Sequence, residues 1–267
     1  MSPGNGWDCH AHIFDGDRGT RQGHYRPPTR TLAMLASEGR VMGIGHVVLV
    51  QPSVYGVDNR LLVDALRESG GRHRGVVVVA ADVEDAALRD MHGCGVRGVR
   101  FNLVSPVGNG GQAFTALAPR LRELGWHVQW YATPADLPAI ADLHERHDVR
   151  CVLDHVAGFT RAAADDSARW RDLRRLADLG AWLKLSGWYR LGATPPYSDL
   201  DDVVVRAAEA FGSRCVWGSD WPHTRFLEAA STEGMPAYAD TWRPVERALG
   251  AAHAARILNE FPMALYG

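Results

Sequence analysis

Eight short β-rich runs recur along this chain of 267 residues, each followed by a segment with helical periodicity. No other feature constrains the fold as strongly. The runs read WDCHAHIF, HVVLVQ, GVVVVAA, VRGVRFN, WHVQWYA, RCVLDH, AWLKLSG and RCVWGSD. Residues 76–80 are continuously apolar, which suits a strand of a parallel sheet covered on both faces. Between the runs, 59–68 places Leu61, Leu62, Ala65 and Leu66 on one helical stripe, and 136–147 does the same with Leu137, Ile140, Ala141 and His144. Asp82 and Asp136 stand where N-caps belong, Gly93 and Gly125 where helices should stop. Eight βα units in unbroken series predict an α/β fold of (β/α)8 TIM-barrel type, with residues 1–267 forming one domain. An open doubly wound sheet is the alternative, but no GxGxxG follows the first run.

Composition narrows the partners. With 46% apolar and 22% charged residues and a formal net charge of −2, the chain lacks the basic footprint of a nucleic-acid binder. A small-molecule substrate is expected, with neither nucleic acid nor membrane as partner; a homo-oligomer is compatible with the sequence. Cys9, Cys94, Cys151 and Cys215 are scattered singly, which argues for reduced thiols rather than a disulfide framework or structural zinc. No basic start with an apolar run behind it, and no span of about 20 apolar residues, is present, so a cytoplasmic location is expected. The polar stretches 16–29 and 226–241 read as long loops over a barrel mouth.

In such barrels chemistry sits at the C-terminal ends of the strands. Those ends carry His10 and His12, Gln51, Arg100 and Asn102, Gln129 to Tyr131, Asp154 and His155, Ser186, Trp188 and Arg190, then Asp220, Trp221 and His223. Strand alternation puts Asp8, His10 and His12 on one face and Cys9, Ala11 and Ile13 on the other. Two histidines on one face are metal ligands, substrate-polarising groups or satisfied core residues. Asp8 reads as a buried hydrogen-bond partner.

The HAH of the first strand, with VQPSVYGVDNR, GVRGVRFNLV, LGWHVQWY, VLDHVAGF, VWGSDWPH and the closing LNEFPMALYG, resembles the amidohydrolase superfamily. It is similar to the branch of 2-pyrone-4,6-dicarboxylate lactonase and related lactone hydrolases. That resemblance implies a hydrolase opening a lactone or related cyclic ester, in the catabolism of such esters. Asp220 matches the water-activating aspartate, and His10, His12 and His155 match histidines around the carbonyl oxygen. Arg100 and Arg190 match substrate-binding positions, where a planar fork can hold both oxygens of a carboxylate. Tyr131 and Tyr25 match positions near the substrate. Trp130, Trp188 and Trp221 would suit a flat ring, and His223 would line the pocket or orient Asp220. One departure is Pro106, which stands where the pyrone-dicarboxylate lactonase carries a second arginine and points to a substrate with one carboxylate or none.

Metal-dependent members of the superfamily add a carboxylate or carbamylated lysine from strand four and a histidine from strand five. This chain offers Arg100, Asn102, Gln129 and Tyr131 there, and Arg100 would repel a dication. The expectation is catalysis without a cofactor. The alternative is one divalent metal, zinc or manganese, held by His10, His12, His155 and Asp220. With it would come decarboxylation of an aromatic or unsaturated carboxylic acid. A third reading, a binding barrel with a decayed site, fits poorly with the histidines and the last-strand aspartate all being present.

Overall fold

The computed structural model describes residues 4–105 and 111–267, so Pro106 lies outside the described residues. Eight strands run in sequence order around one sheet: β1 Gly6–Ala11, β2 Ile44–Val50, β3 Arg74–Val77, β4 Val96–Asn102, β5 His127–Tyr131, β6 Cys151–Leu153, β7 Trp182–Leu185 and β8 Cys215–Trp217. Every neighbouring pair is parallel. The ring closes where His12 N donates to Trp221 O and Asp220 N to His10 O, both at 2.8 Å. An order that never reverses is that of the (β/α)8 barrel and excludes the doubly wound alternative.

Apolar strand residues such as Val48, Leu49, Val76, Val99, Val128, Leu183 and Val216 are buried with the inner faces of the surrounding helices, including Leu62, Leu66, Leu117, Leu121, Ile140 and Leu173. At the strands' N-terminal end the last helix, Phe261–Tyr266, brings in Tyr266, which stacks on Trp7 and meets His127 edge-on. The opposite end is left to polar side chains. All four cysteines are free thiols. No helix among the described residues is long and apolar enough to cross a membrane.

Local expectations fared unevenly. Helix Arg60–Glu68 and helix Leu137–His147 lie where the periodicity placed them, and Gly125 takes a φ of +66° just past helix Phe114–Glu123. Asp82 is not an N-cap. Residues 80–83 form a turn in which Val83 N donates to Ala80 O, and helix Asp85–Gly93 begins after it. Asp136 serves from inside the turn: its carboxylate accepts from Thr133 N and Thr133 Oγ1, one half of a capping box. The stretch 16–29 is an irregular loop whose base is tied by Phe14 pairing with Arg30. The stretch 226–241 is only partly loop, since helix Thr224–Glu228 enters it and a 3-10 turn, Tyr238–Thr241, ends it.

Candidate active site

The β1–β2 ladder slips between Asp8 and Ala11, and this slip breaks the strict alternation expected of the first strand. Asp8 therefore parts company with the histidines. Its carboxylate accepts from Ser219 N at 2.9 Å, Ser219 Oγ at 2.6 Å and Tyr238 Oη at 2.8 Å, tying β1 to the segment after β8. His10 and His12 instead converge on Asp220, with Nε2 atoms 3.7 and 3.4 Å from Oδ1. His155 Nε2 stands 4.0 Å from Oδ2. Four residues, His10 in β1 and three from the segments that follow β1, β6 and β8, thus meet at one point.

Their backbones explain the convergence. His155, Val156 and Ala157 follow β6 with φ near +50°, and Asp220 has φ +56°. Non-glycine residues pay about 1–2 kcal/mol each for that conformation. Strain of this kind gathers where a side chain must be aimed.

Each ring is held through its other nitrogen. His12 Nδ1 lies 2.7 Å from the Val50 carbonyl, an acceptor only, so this nitrogen carries the proton. His10 Nδ1 donates to Asp154 Oδ1 at 3.1 Å, the carboxylate standing nearer than the Lys184 ammonium at 3.4 Å. His155 Nδ1 meets the Ser186 hydroxyl at 2.9 Å. Beneath them Asp154 Oδ2 accepts from Arg100 Nε at 3.1 Å and Gln129 Nε2 at 3.0 Å. Lys184 Nζ donates to Gln129 Oε1 at 2.6 Å and lies 3.6 Å from Asp154 Oδ1. Asp220 Oδ2 accepts from Tyr189 Oη at 2.5 Å and Arg190 Nε at 2.6 Å.

Burial and charge set the protonation states. Burial alone would raise both carboxyls; His10, Lys184 and Arg100 outweigh it for Asp154, as Arg190 and the surrounding histidines do for Asp220, and both are held well below the usual range. Burial lowers His10 well below its ordinary value and His155 to about 3, so both rings are neutral near pH 7. It also brings Lys184 down to about 8.

Above this floor opens a cavity of about 330 Å³, lined among others by His12, Tyr25, Arg100, Asn102, Tyr131 and Arg190. The guanidinium carbons of Arg100 and Arg190 stand 5.4 and 5.5 Å from the centre of the Tyr131 ring. Arg190 is committed on one edge, with Nη2 donating to Thr224 Oγ1 at 2.6 Å. Trp188 is not in the cavity wall: it is 1% exposed and its indole donates to Thr241 O, whereas Arg190, two residues on in the same turn, lines the cavity. His223 also stays out of the wall, edge-on to Tyr189 at 5.7 Å, while its backbone N donates to Asp220 O. Trp130 stacks on Phe101 and donates to His144, a packing role.

Sequence reasoning passed over Tyr189 and Lys184. A lysine inside the apolar strand WLKL was the available signal, since a buried ammonium needs partners on the same barrel interior.

His10 Nε2, His155 Nε2 and Asp220 Oδ1 are buried without hydrogen-bond partners among the described residues. With its proton on Nδ1, neutral His10 turns a lone pair toward a carboxylate oxygen that His12 Nε2 also faces, an arrangement with room for a cation between them. The ligand atoms of His10, His12 and Asp220 lie within 4.8 Å of one another, as do those of His10, Asp154 and His155. These donors fit a divalent ion, and backbone or carboxylate partners on the outer nitrogens are what metal-bound histidines usually have.

The chain matches the amidohydrolase family over residues 7–267. It is 31% identical over 253 residues to a 2-pyrone-4,6-dicarboxylate hydrolase of Comamonas testosteroni, covering 87% of this chain and 82% of that one. It is 31% identical over 275 residues to a 4-sulfomuconolactone hydrolase of Rhizobium radiobacter, covering 99% and 91%. A solved structure from Pseudomonas putida, assigned as a 2-pyrone-4,6-dicarboxylic acid hydrolase, superposes with a TM-score of 0.86 at 30% identity, covering 98% of this chain and 97% of that one. The barrel, the site at the C-terminal ends of its strands and these matches together place this chain in the amidohydrolase family.

Proposed function

We propose that this protein hydrolyses a lactone or related cyclic ester bearing a carboxylate. The observation that carries the reading is the meeting of Asp220 with three histidine Nε2 atoms beneath a cavity walled by Arg100 and Arg190. The names of the two relatives, both lactone-ring hydrolases, support it. Arg100 and Arg190 would hold the substrate anion across the Tyr131 ring, with Tyr25 closing the cavity from the loop after β1. Asp220 would orient the attacking water and take its proton as the C–O bond forms. A histidine N–H would receive the charge developing on the carbonyl oxygen. As the tetrahedral intermediate collapses, the acyl C–O bond of the ring would break, and Asp220 would return the proton to the ring oxygen, which leaves as the new alcohol beside a carboxylic acid at the former carbonyl.

A divalent ion at His10, His12 and Asp220 would supply Lewis-acid polarisation of the same carbonyl. Charge balance weighs against that dication. Arg100, Arg190 and Lys184 already bring three positive charges against the two of Asp154 and Asp220. The three-ligand geometry does keep metal-dependent decarboxylation of a carboxylic acid as the second reading.

The test is a panel of carboxylated and uncarboxylated lactones offered to the wild type and to Asp220→Asn. Loss of a general base costs typically 10²- to 10⁴-fold. Turnover of any lactone by the wild type, with that loss in the variant, is expected; near-normal rates in Asp220→Asn refute the assignment. Carbon dioxide release from an aromatic acid by protein holding one metal per chain would establish the second reading.

A further inference from the structure

We infer that Ser186 fixes the tautomer of His155, making His155 the neutral histidine of this site that presents an Nε2–H to the substrate carbonyl. The inference rests on the hydrolytic reading above and divides the labour of its three histidines. His12 faces the Val50 carbonyl through Nδ1, and His10 faces the Asp154 carboxylate at 3.1 Å, nearer than the Lys184 ammonium at 3.4 Å, so Nδ1 is the donor in both rings and a lone pair is left at Nε2 when it carries no proton. His155 differs. Its Nδ1 faces a hydroxyl, which can donate or accept.

Ser186 resolves that choice. It is 0% exposed, and among the described residues its hydroxyl has no hydrogen-bond partner other than His155 Nδ1. Were the proton on Nδ1, the Ser186 O–H would be a buried donor with nowhere to go, which is costly. Donation from Oγ to Nδ1 satisfies the hydroxyl and sends the ring proton to Nε2. The field agrees, since Nε2 stands 4.0 Å from the carboxylate oxygen Asp220 Oδ2, toward which an N–H is attracted and a lone pair repelled. That oxygen already accepts from Tyr189 and Arg190, and the Nε2–H has no partner of its own among the described residues, so it remains available for an incoming oxygen.

The ring cannot readily turn away. Tyr131 meets it edge-on with centroids 4.9 Å apart, His10 lies 4.8 Å from it, and a Cβ on Gly187 would fall 2.5 Å from its Nδ1. Ser186 is thus a positioning residue, acting on the reaction only through His155.

The test pairs ring ¹⁵N NMR of histidine-labelled protein at neutral pH with steady-state kinetics. His155→Gln identifies the resonances of His155 among the twelve histidines. In the wild type we expect a protonated Nε2 and a bare Nδ1. In Ser186→Ala the two nitrogens should shift toward each other as tautomers mix, with kcat falling about 10- to 10³-fold, below the roughly 10⁴-fold loss known for a wrong histidine tautomer in a catalytic triad. KM should stay within about threefold, and Ser186→Thr, which keeps the hydroxyl, should restore both readouts. A proton on Nδ1 of His155 in the wild type, or a bare Nε2 bound to metal, overturns the inference. So does Ser186→Ala with unchanged tautomer and kcat. The NMR result speaks to the resting protein even if no lactone is turned over, so the two readings fail separately.

Discussion

Replacing Gly187 by alanine should damage both stability and turnover, whereas the same change five residues on, at Gly192, should cost stability alone. Both glycines are left-handed, with φ of +66° and +78°. An alanine at either pays about 1–2 kcal/mol for that backbone, partly offset by about 0.4–1 kcal/mol from a less flexible unfolded chain. At Gly192 nothing lies within 4 Å of the new Cβ, so the net loss is about 1 kcal/mol. At Gly187 the Cβ would sit 2.5, 2.7 and 3.1 Å from Nδ1, Cγ and Cβ of His155. Tyr131 and His10 block the ring's retreat, so an overpacking term of about 1–3 kcal/mol is added, for a total of roughly 2–4 kcal/mol. A displacement near 1 Å at a reacting group costs about 10²-fold in rate. Urea denaturation and kcat on a lactone substrate measure the two effects. Equal stability loss in both variants, with kcat of Gly187→Ala within threefold of wild type, would refute the claim that Gly187 exists to let His155 pack where it does.

Three further outcomes follow from the same geometry. His127, buried at the start of β5, has its pKa lowered to about 3 by burial and by Lys184 and Arg150, while an unfolded histidine protonates near 6.5. Between those values the unfolded chain binds the extra proton, so stability should fall as pH drops below 6.5; His127 accounts for about 2 kcal/mol between pH 7 and pH 5, and His127→Leu should flatten the urea-measured pH dependence by that amount. A steeper dependence in the variant would reverse the sign of the argument. Asp8→Asn should cost about 1–3 kcal/mol by weakening the four hydrogen bonds from His10 N, Ser219 N, Ser219 Oγ and Tyr238 Oη, as read from the denaturation midpoint, and a loss below about 0.5 kcal/mol would deny it a role in closing the barrel. Protein stripped by chelator to far less than one metal per chain, verified by elemental analysis, should keep its lactonase activity. Loss of activity restored by zinc or manganese would make His10, His12 and Asp220 ligands.

Much of this protein was legible in its sequence because the signals were local. Eight strand runs separated by helical stripes specify the barrel, since burying a strand on both faces and a helix on one leaves few arrangements for such a series. Once the barrel was given, the ends of its strands offered His10, His12, Arg100, Tyr131, His155, Arg190 and Asp220 as candidates, and the fold brings these to one end of the barrel. Strand periodicity could not foresee the slip between Asp8 and Ala11, because register is decided by the partner strand rather than by the run itself. Nor could it tell Trp188 from Arg190, two residues apart in one turn, of which one is buried against Thr241 and the other lines the cavity. The proton positions on the three rings depend on Val50, Asp154 and Ser186, which come from three different strand ends. Hydrogen bonds between groups 31, 38 and 144 residues apart exist only after the sheet has closed, and it is those bonds that decide which nitrogen is a donor.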